Sequence, residues 1–405
     1  MNAFWILVCF EYKKIMRKRS VKITMLLALF VTVIDVTGTL LGSSYRNGKT
    51  YETYYEGMIK DRAYMRALEG RLLDGKLIME AVNAYTQIPE ANDYQDTIEY
   101  QTIARPYSGV YGMTRGAYNT DSKRFNMEDF QKLTTAQADQ FYNARRNQIK
   151  HIVELMHMSN KAEKQVLAWA EQVETPLKLS YADGYTRFFE LVNMIGLTAS
   201  FVMAICIAPL FSGEYTTGTD QLILSSKYGK NKVITAKLFT GFTVASLICL
   251  VITAITLCLS LAIFGADGGK APLQLYMMMS PYALTMDQTT LVLCICILLS
   301  CIMTAAITML LSAKFKSPFG VIILVSALLF IPMMGNITNK NLLLYRLYHL
   351  FPTQMSSFVS AVDRIPYEFF GLVLKPYWFL PMFAAVVSII LSPLAYRSFQ
   401  KHQIG

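Results

Sequence analysis

The chain has 405 residues, 53% of them hydrophobic and only 16% charged, with a formal net charge of +10. Soluble domains carry about 25% charged residues, so the composition argues against a soluble enzyme. The apolar residues fall instead into runs of roughly 20, the length a helix needs to cross a bilayer.

Residues 1–22 read as an interfacial helix and a basic flank. Phe4, Leu7 and Val8 form an apolar sector, Glu11 to Lys14 a charged one, and Trp5 and Tyr12 suit the headgroup layer. The first apolar run, 23–42, reads as an uncleaved span rather than a signal peptide. Its leader is long, it contains Phe4, Trp5 and Phe10, and no small-x-small cleavage site follows Leu41.

Residues 43–187 form an inserted segment long enough for a domain. All seven cysteines (Cys9, Cys206, Cys249, Cys258, Cys294, Cys296 and Cys301) lie outside it, so it folds by packing without disulfides. It reads as mainly helical. Thr134-x-x-Gln137 and Asn160-x-x-Glu163 look like capping boxes, and Val166, Leu167, Trp169 and Val173 recur at helical spacing. Residues 104–126, rich in Gly, Tyr and Arg, read as loops. His151, Glu154 and His157 are spaced three apart and could be metal ligands, but solvated positions on a helix are the favoured reading, and no metal site is expected.

Residues 188–405 hold five more runs, at 188–211, 236–264, 289–312, 318–335 and 377–396. The fifth span of the chain is short and ends at Pro332 and Gly335. The piece following it, up to residue 376, reads as interfacial or re-entrant around Pro352. The fold class is therefore an all-α integral membrane protein. It has about six transmembrane helices, an N-terminal interfacial helix and a mainly helical extracytoplasmic domain between spans one and two.

Charge sets the expected orientation. One set of flanks carries Lys13, Lys14, Arg17, Lys18, Arg19, Lys22, Lys227, Lys230, Lys232, Lys237, Lys314, Lys316, Arg397 and Lys401 against only Glu11, Glu214 and Asp220. Acids and bases balance within 43–187. Basic flanks stay in the cytoplasm, so both termini are expected there, with 43–187 outside. The basic excess is then topological and gives no reason to expect nucleic acid.

Motifs for chemistry are missing. There is no Gly-Lys-Ser/Thr phosphate loop, no His-Glu-x-x-His and no Gly-x-Ser-x-Gly. Polar residues within spans are costly and often functional. Asp35, in the outer half of the first span, Glu190, at the start of the second, and Asn193 are the candidates, Asn193 as an interhelical hydrogen-bonding residue.

The longest inner loop runs from Phe211 to Lys237. Phe211, Glu214, Gly218, Thr219, Leu222 to Ser226, Lys230 and Lys237 follow the pattern of the cytoplasmic loop in the type-2 class of ABC exporter permeases. The segment departs from that pattern at Lys227-Tyr228, where many members have proline. The N-terminal stretch FEYKKIMRKRS also resembles this family just before its first span. The resemblance implies a permease subunit of an ATP-driven exporter, not itself an ATPase. Its partners would be a separate cytoplasmic ABC ATPase subunit, a second copy or homologous permease, and membrane lipids. It would bind no cofactor, ATP and Mg belonging to the partner subunit. The 212–232 loop would contain a short coupling helix, helical over Thr217 to Ser226. Its implied coupling residues are Glu214, Gly218, Thr219, Leu222, Ile223, Ser225 and Ser226, with Leu222 and Ile223 facing a partner groove and Glu214 holding the loop.

The substrate expected from the apolar, Met- and aromatic-rich composition is an amphipathic compound, peptide or lipid. The competing reading is a membrane receptor or sensor with an extracytoplasmic ligand-binding domain, against which the shortness of the inner loops counts. An intramembrane enzyme would need paired polar residues at similar depth, which Asp35, Glu190 and Asn193 do not supply.

Overall fold

The computed structural model describes residues 3–46, 49–91, 93–119, 124–335 and 337–402. Helix α1 (Ala3–Met16) turns at an extended Lys18 into α2 (Arg19–Thr37). Among the described residues, five helical stretches are long and apolar enough to cross a membrane: Arg19–Leu40, Asp183–Thr217, Gly229–Phe264, Met286–Lys314 and Pro376–Gln400. Pro318–Met334 is a shorter sixth. The chain is thus a multi-pass membrane protein, mostly helical, with five to six such helices and helical segments between them.

After α2 comes an antiparallel hairpin of β1 (Ser43–Arg46) and β2 (Lys49–Thr53), which the mainly helical reading did not anticipate. Thr53 then caps α3 (Tyr54–Ala67) in a reciprocal box with Glu56. Helices α4 (Gly75–Thr86), α5 (Ser108–Tyr118), α6 (Met127–Gln131), α7 (Thr135–Asp139), α8 (Phe141–Leu155) and α9 (Asn160–Glu171) follow. A core of its own, built on Leu73, Leu77, Ile78, Tyr85, Tyr111, Phe130 and Phe141, holds most of this segment together.

Three local expectations need correction here. The 104–126 stretch is not all loop, because α5 runs through it. Val110, Thr114 and Ala117 recur at helical spacing and are buried, a stripe that the interleaved glycines and Arg115 obscure. Residues 120–123 of that stretch lie outside the described residues. The cap of α9 is Ser159, whose Oγ accepts from the Ala162 N–H at 3.1 Å, one residue before the expected Asn160. His157 lies past the end of α8 at φ 47°, so His151, Glu154 and His157 do not share a helix face. The Thr134–Gln137 capping box forms as read.

The remaining chain builds the apolar bundle. It comprises α10 (Asp183–Ile207), α11 (Pro209–Thr217), α12 (Thr219–Ser225), α13 (Ile234–Phe264), α14 (Met286–Lys314) and α15 (Pro318–Met334). Three short helices then pack into one end: α16 (Leu342–Tyr348), α17 (Pro352–Met355) and α18 (Phe358–Ala361). A hairpin of β3 (Tyr367–Phe369) and β4 (Leu372–Leu374) leads into α19 (Pro376–Gln400).

Helix α14 is central and packs against α10, α13, α15 and α19. Its buried face is small and hydroxyl-rich, with Ser300, Thr304, Ala305, Thr308 and Ser312, which lets neighbouring helices approach closely. Thr304 and Thr308 return their hydroxyls to the carbonyls four residues back, at 3.0 and 2.7 Å, so neither of these hydroxyls is left bare in an apolar setting. Helix α2 is the opposite case. Ile23, Leu26, Leu27, Phe30 and Ile34 are exposed on it, as suits a surface turned to lipid.

The inserted segment is fastened to the bundle through main-chain carbonyls. Arg62 donates to Ile263 O at 2.6 Å, the buried Tyr181 hydroxyl to Phe264 O, and Arg145 to Met278 O at 2.9 Å and Ser280 O at 3.1 Å. Gly184 permits the closest approach, since a Cβ there would sit 2.0 Å from Gly265 O.

An ionic cluster ties β2 to the rest of the segment. Glu52 accepts from Lys60 and Arg105, each at 2.7 Å, and Arg105 also donates to Asp61 at 2.8 Å. Burial alone would favour the neutral acid of Glu52, but the hydrogen bonds from Lys60 and Arg105 outweigh it and hold the carboxyl below the ordinary glutamate range. A depressed carboxyl contributes stability above its unfolded pKa and loses it as pH falls towards the folded value. Thermal melts should therefore drop as pH is lowered below about 4.3, the unfolded glutamate value. Glu52→Gln should melt lower at pH 7 and show a shallower fall, and an identical pH profile in that variant would remove the cluster's role.

Candidate functional site

The sequence places most of its candidate residues on the loop after α10, and there the fold builds a compact, charged junction. Helix α10 ends at Ile207, and Pro209 at the first turn of α11 redirects the chain. Ser312 of α14 splints this break: its Oγ accepts from the N–H groups of Phe211 and Ser212, each at 3.0 Å, and donates to Ala208 O at 2.5 Å. Gly218, at φ 67°, ends α11 and opens α12. The helix expected over Thr217 to Ser226 is α12, shorter than expected: Thr217 is the last residue of α11, and the left-handed Gly218 separates the two.

Glu214 is only 3% exposed. One of its carboxylate oxygens, Oε1, accepts from Lys237 at 2.6 Å and also from Lys14, while Oε2 accepts from the Thr219 hydroxyl at 2.5 Å. Lys237 of α13 is 0% exposed, and its ammonium also donates to Glu11 of α1 at 2.8 Å and to Leu210 O at 3.0 Å. The network therefore ties α1, α11, α12 and α13 together. The second oxygen of Glu11 is buried without a hydrogen-bond partner. Lys18 lies close by, and burial, followed by repulsion from Lys14, lowers its pKa.

Aromatic packing closes the other side. Phe399, near the end of α19, lies 4.9 Å from Phe211 and 5.6 Å from Tyr215. The His402 ring lies tilted against Tyr215, 4.2 Å between centroids, and 3.7 Å from the Asp220 carboxylate. Tyr12 of α1 hydrogen-bonds Thr243 of α13, and Phe4 and Trp5 meet Phe239 edge-on. Beneath α12, a Cβ on Gly229 would lie 1.5 Å from Ile223 O, so the chain there passes too close for any side chain.

Of the other loop candidates, Leu222 is 73% exposed at the surface of α12, whereas Ile223 is half-buried and packs against the bundle core. Only Leu222 is presented outward as a free apolar side chain. Ser225 and Ser226 are exposed and return their hydroxyls to Leu222 O and Ile223 O, at 3.1 and 2.7 Å, closing the end of α12.

The three span candidates lie elsewhere, at the opposite end of α10, separated from Glu214 by roughly 25 Å of helix rise. Arg187 links two of them: it donates to the backbone carbonyl of Asp35 and forms an ion pair with Glu190 at 3.0 Å. The Asp35 carboxylate itself has no hydrogen bond or ion pair among the described residues. Asn193 donates to Thr353 O of α17 at 3.0 Å, as an interhelical residue would. Sequence reasoning named Lys237 without a role and did not single out Glu11, Lys14 or Gly229. A lysine and two glutamates scattered over more than 200 positions carry no local signal; only the fold brings them together.

Removing Lys237 should leave the buried Glu11 carboxylate uncompensated and Glu214 held only by Lys14 and Thr219, a loss of about 3–5 kcal/mol for such a broken buried pair. Lys237→Met should accordingly lower the melting temperature of the purified protein sharply, while Lys230→Met, at an exposed position, should not. Equal melting of both variants would show that the network does not hold the junction. Gly229→Ala should loosen α12, read as faster protease cleavage between residues 217 and 233 with the rest of the chain intact.

The profile of the family described as ABC-2 family transporter protein matches residues 72–392, which takes in every helix from α4 to α18 and most of α19. No curated protein and no solved structure matches the chain significantly. The match spans well over half of the sequence, and its membrane permease domain carries no ATPase domain. The chain belongs to the ABC-2 transporter family and is a membrane subunit of such a transporter.

Proposed function

We propose that this subunit draws its energy from a separate cytoplasmic ABC ATPase, which docks on α12 and binds the ATP and Mg. The observation that supports this best is the contrast within one short helix. Leu222 is exposed, while the base of the same helix is pinned through Thr219 to the buried Glu214–Lys237–Glu11 network. An exposed anchor on a rigid base suits a surface that must transmit a push rather than absorb it. Membership of the family supports the partner, since ABC-2 permeases typically work with ABC ATPases.

In this reading the basic end of the bundle, with both termini and α12, faces the cytoplasm, as the distribution of lysine and arginine favours. Residues 43–187 then form an extracytoplasmic domain. Two permease chains, two copies or one with a homologue, flank the path. Closure of two ATPase subunits on ATP moves α12, and α11 carries the motion to α10 through the junction at Pro209. Gly218, Ser225 and Ser226 set the ends of α12 for that contact. Transport is outward, and the cargo is an amphipathic compound, peptide or lipid. The Asp35–Arg187–Glu190 group and Asn193, at the far end, line the outer part of the structure rather than the coupling surface.

Affinity capture of the detergent-solubilised chain from its native cells, followed by mass spectrometry, tests the partner. The expected result is a P-loop ATPase retained by the unaltered chain and lost with Leu222→Asp, which leaves the buried network untouched. Glu214→Ala should also abolish transport while membrane insertion persists. If no ATPase is captured under any nucleotide condition, the reading fails.

A further inference from the structure

A cavity of about 460 Å³ opens between α8 and α9 in the inserted segment, away from the coupling junction. Its volume falls within the range of about 300–1,000 Å³ that holds small molecules. The walls are chemically divided. Ile149, Leu167, Ala170 and Val173 make an apolar side, while Arg145, Arg146 and Lys150 make a basic one. Glu171 is the one acidic residue among those lining it.

Arg145 is the unusual member. It is only 5% exposed, and its guanidinium is held by two backbone carbonyls, Met278 O and Ser280 O, rather than by an acid. Among the described residues no carboxylate makes an ion pair with it. Burial without a counter-charge lowers its pKa to about 10. A buried charge is ordinarily paired, and carbonyl dipoles orient a guanidinium without neutralising it. Among the described residues the Arg146 guanidinium hydrogen-bonds only Asn143, at 3.4 Å, and Lys150 lies at the limit of ion-pairing distance, 4.0 Å, from Glu154. The basic wall therefore keeps donors to offer.

We propose that this cavity binds an amphiphile with a compact anionic head, a phosphate or carboxylate, whose head pairs with Arg145, Arg146 and Lys150 and whose apolar body lies along Ile149, Leu167, Ala170 and Val173. The ligand supplies the counter-charge that Arg145 lacks. Through the Met278 and Ser280 carbonyls, the occupied site sits directly against the segment joining α13 to α14, so its occupancy bears on the seam between the inserted segment and the bundle. The site needs neither an ATPase partner nor any assumption about cargo, and stands or falls separately from the coupling reading.

The test is calorimetric titration of the full chain in phosphatidylcholine nanodiscs with octyl phosphate, corrected with empty nanodiscs. The expected result is saturable binding of one molecule per chain, weakened about tenfold or more by Arg146→Gln/Lys150→Gln, in line with the loss of a charge-assisted contact. Both replaced side chains are exposed, so the variant keeps the fold. Octyltrimethylammonium, octanol and inorganic phosphate should each bind far more weakly. Equal binding of the cationic or neutral amphiphile, equal binding of inorganic phosphate, an unaffected double variant, or no binding of octyl phosphate would each overturn the proposal.

Discussion

The junction at the basic end rests on one ammonium group. Lys237 is fully buried in an apolar helix, an arrangement that is stable only if acids come to meet it. They come from two distant parts of the chain, Glu11 on α1 and Glu214 on α11. Charge balance thereby dictates where α1 lies: it must deliver its carboxylate to α13, and its aromatic contacts with Phe239 follow from that placement. An apolar contact alone could slide along α13, whereas a buried ion pair permits one register.

The same constraint accounts for the broken second span. A continuous helix from Asp183 to Ser225 would carry Glu214 and Thr219 away from the bundle. The break at Pro209, splinted by Ser312, and the left-handed turn at Gly218 bring α11 and α12 back across the end of α13 and α14. Each break leaves helix-end N–H and C=O groups to satisfy, and at Pro209 one serine hydroxyl serves both strands of the turn.

Much of this architecture is legible in the sequence, and the parts that are not share a physical reason. The six apolar runs match helices because bilayer length and hydropathy are local properties. The helices reach beyond the predicted spans, as at Asp183 and Met286, because polar end residues such as Asp183 and Gln288 are helical without being hydrophobic. Helix α5 escapes notice because its buried stripe of Val110, Thr114 and Ala117 is diluted by glycine and arginine. The β1–β2 and β3–β4 hairpins are too short to show an alternating pattern. At the candidate site, Glu214, Gly218 and Thr219 stand out because the loop that holds them resembles the pattern of the family's permeases. Glu11 and Lys237 become meaningful only as partners across the fold.

The way the inserted segment is fastened has an evolutionary consequence. Arg62, Tyr181 and Arg145 all grip the bundle by main-chain carbonyls, at Ile263, Phe264, Met278 and Ser280. Every residue type offers a carbonyl, so the side chains of Ile263, Phe264, Met278 and Ser280 can change without removing these hydrogen bonds. The burden of identity falls on the gripping residues and on a few gripped ones: Gly265 and Gly268, where a Cβ would meet Tyr181, and Asp267, which pairs with Arg66. A graft of this segment onto another bundle would therefore need backbone carbonyls in the same places, with glycines kept where Tyr181 passes and an acid kept opposite Arg66.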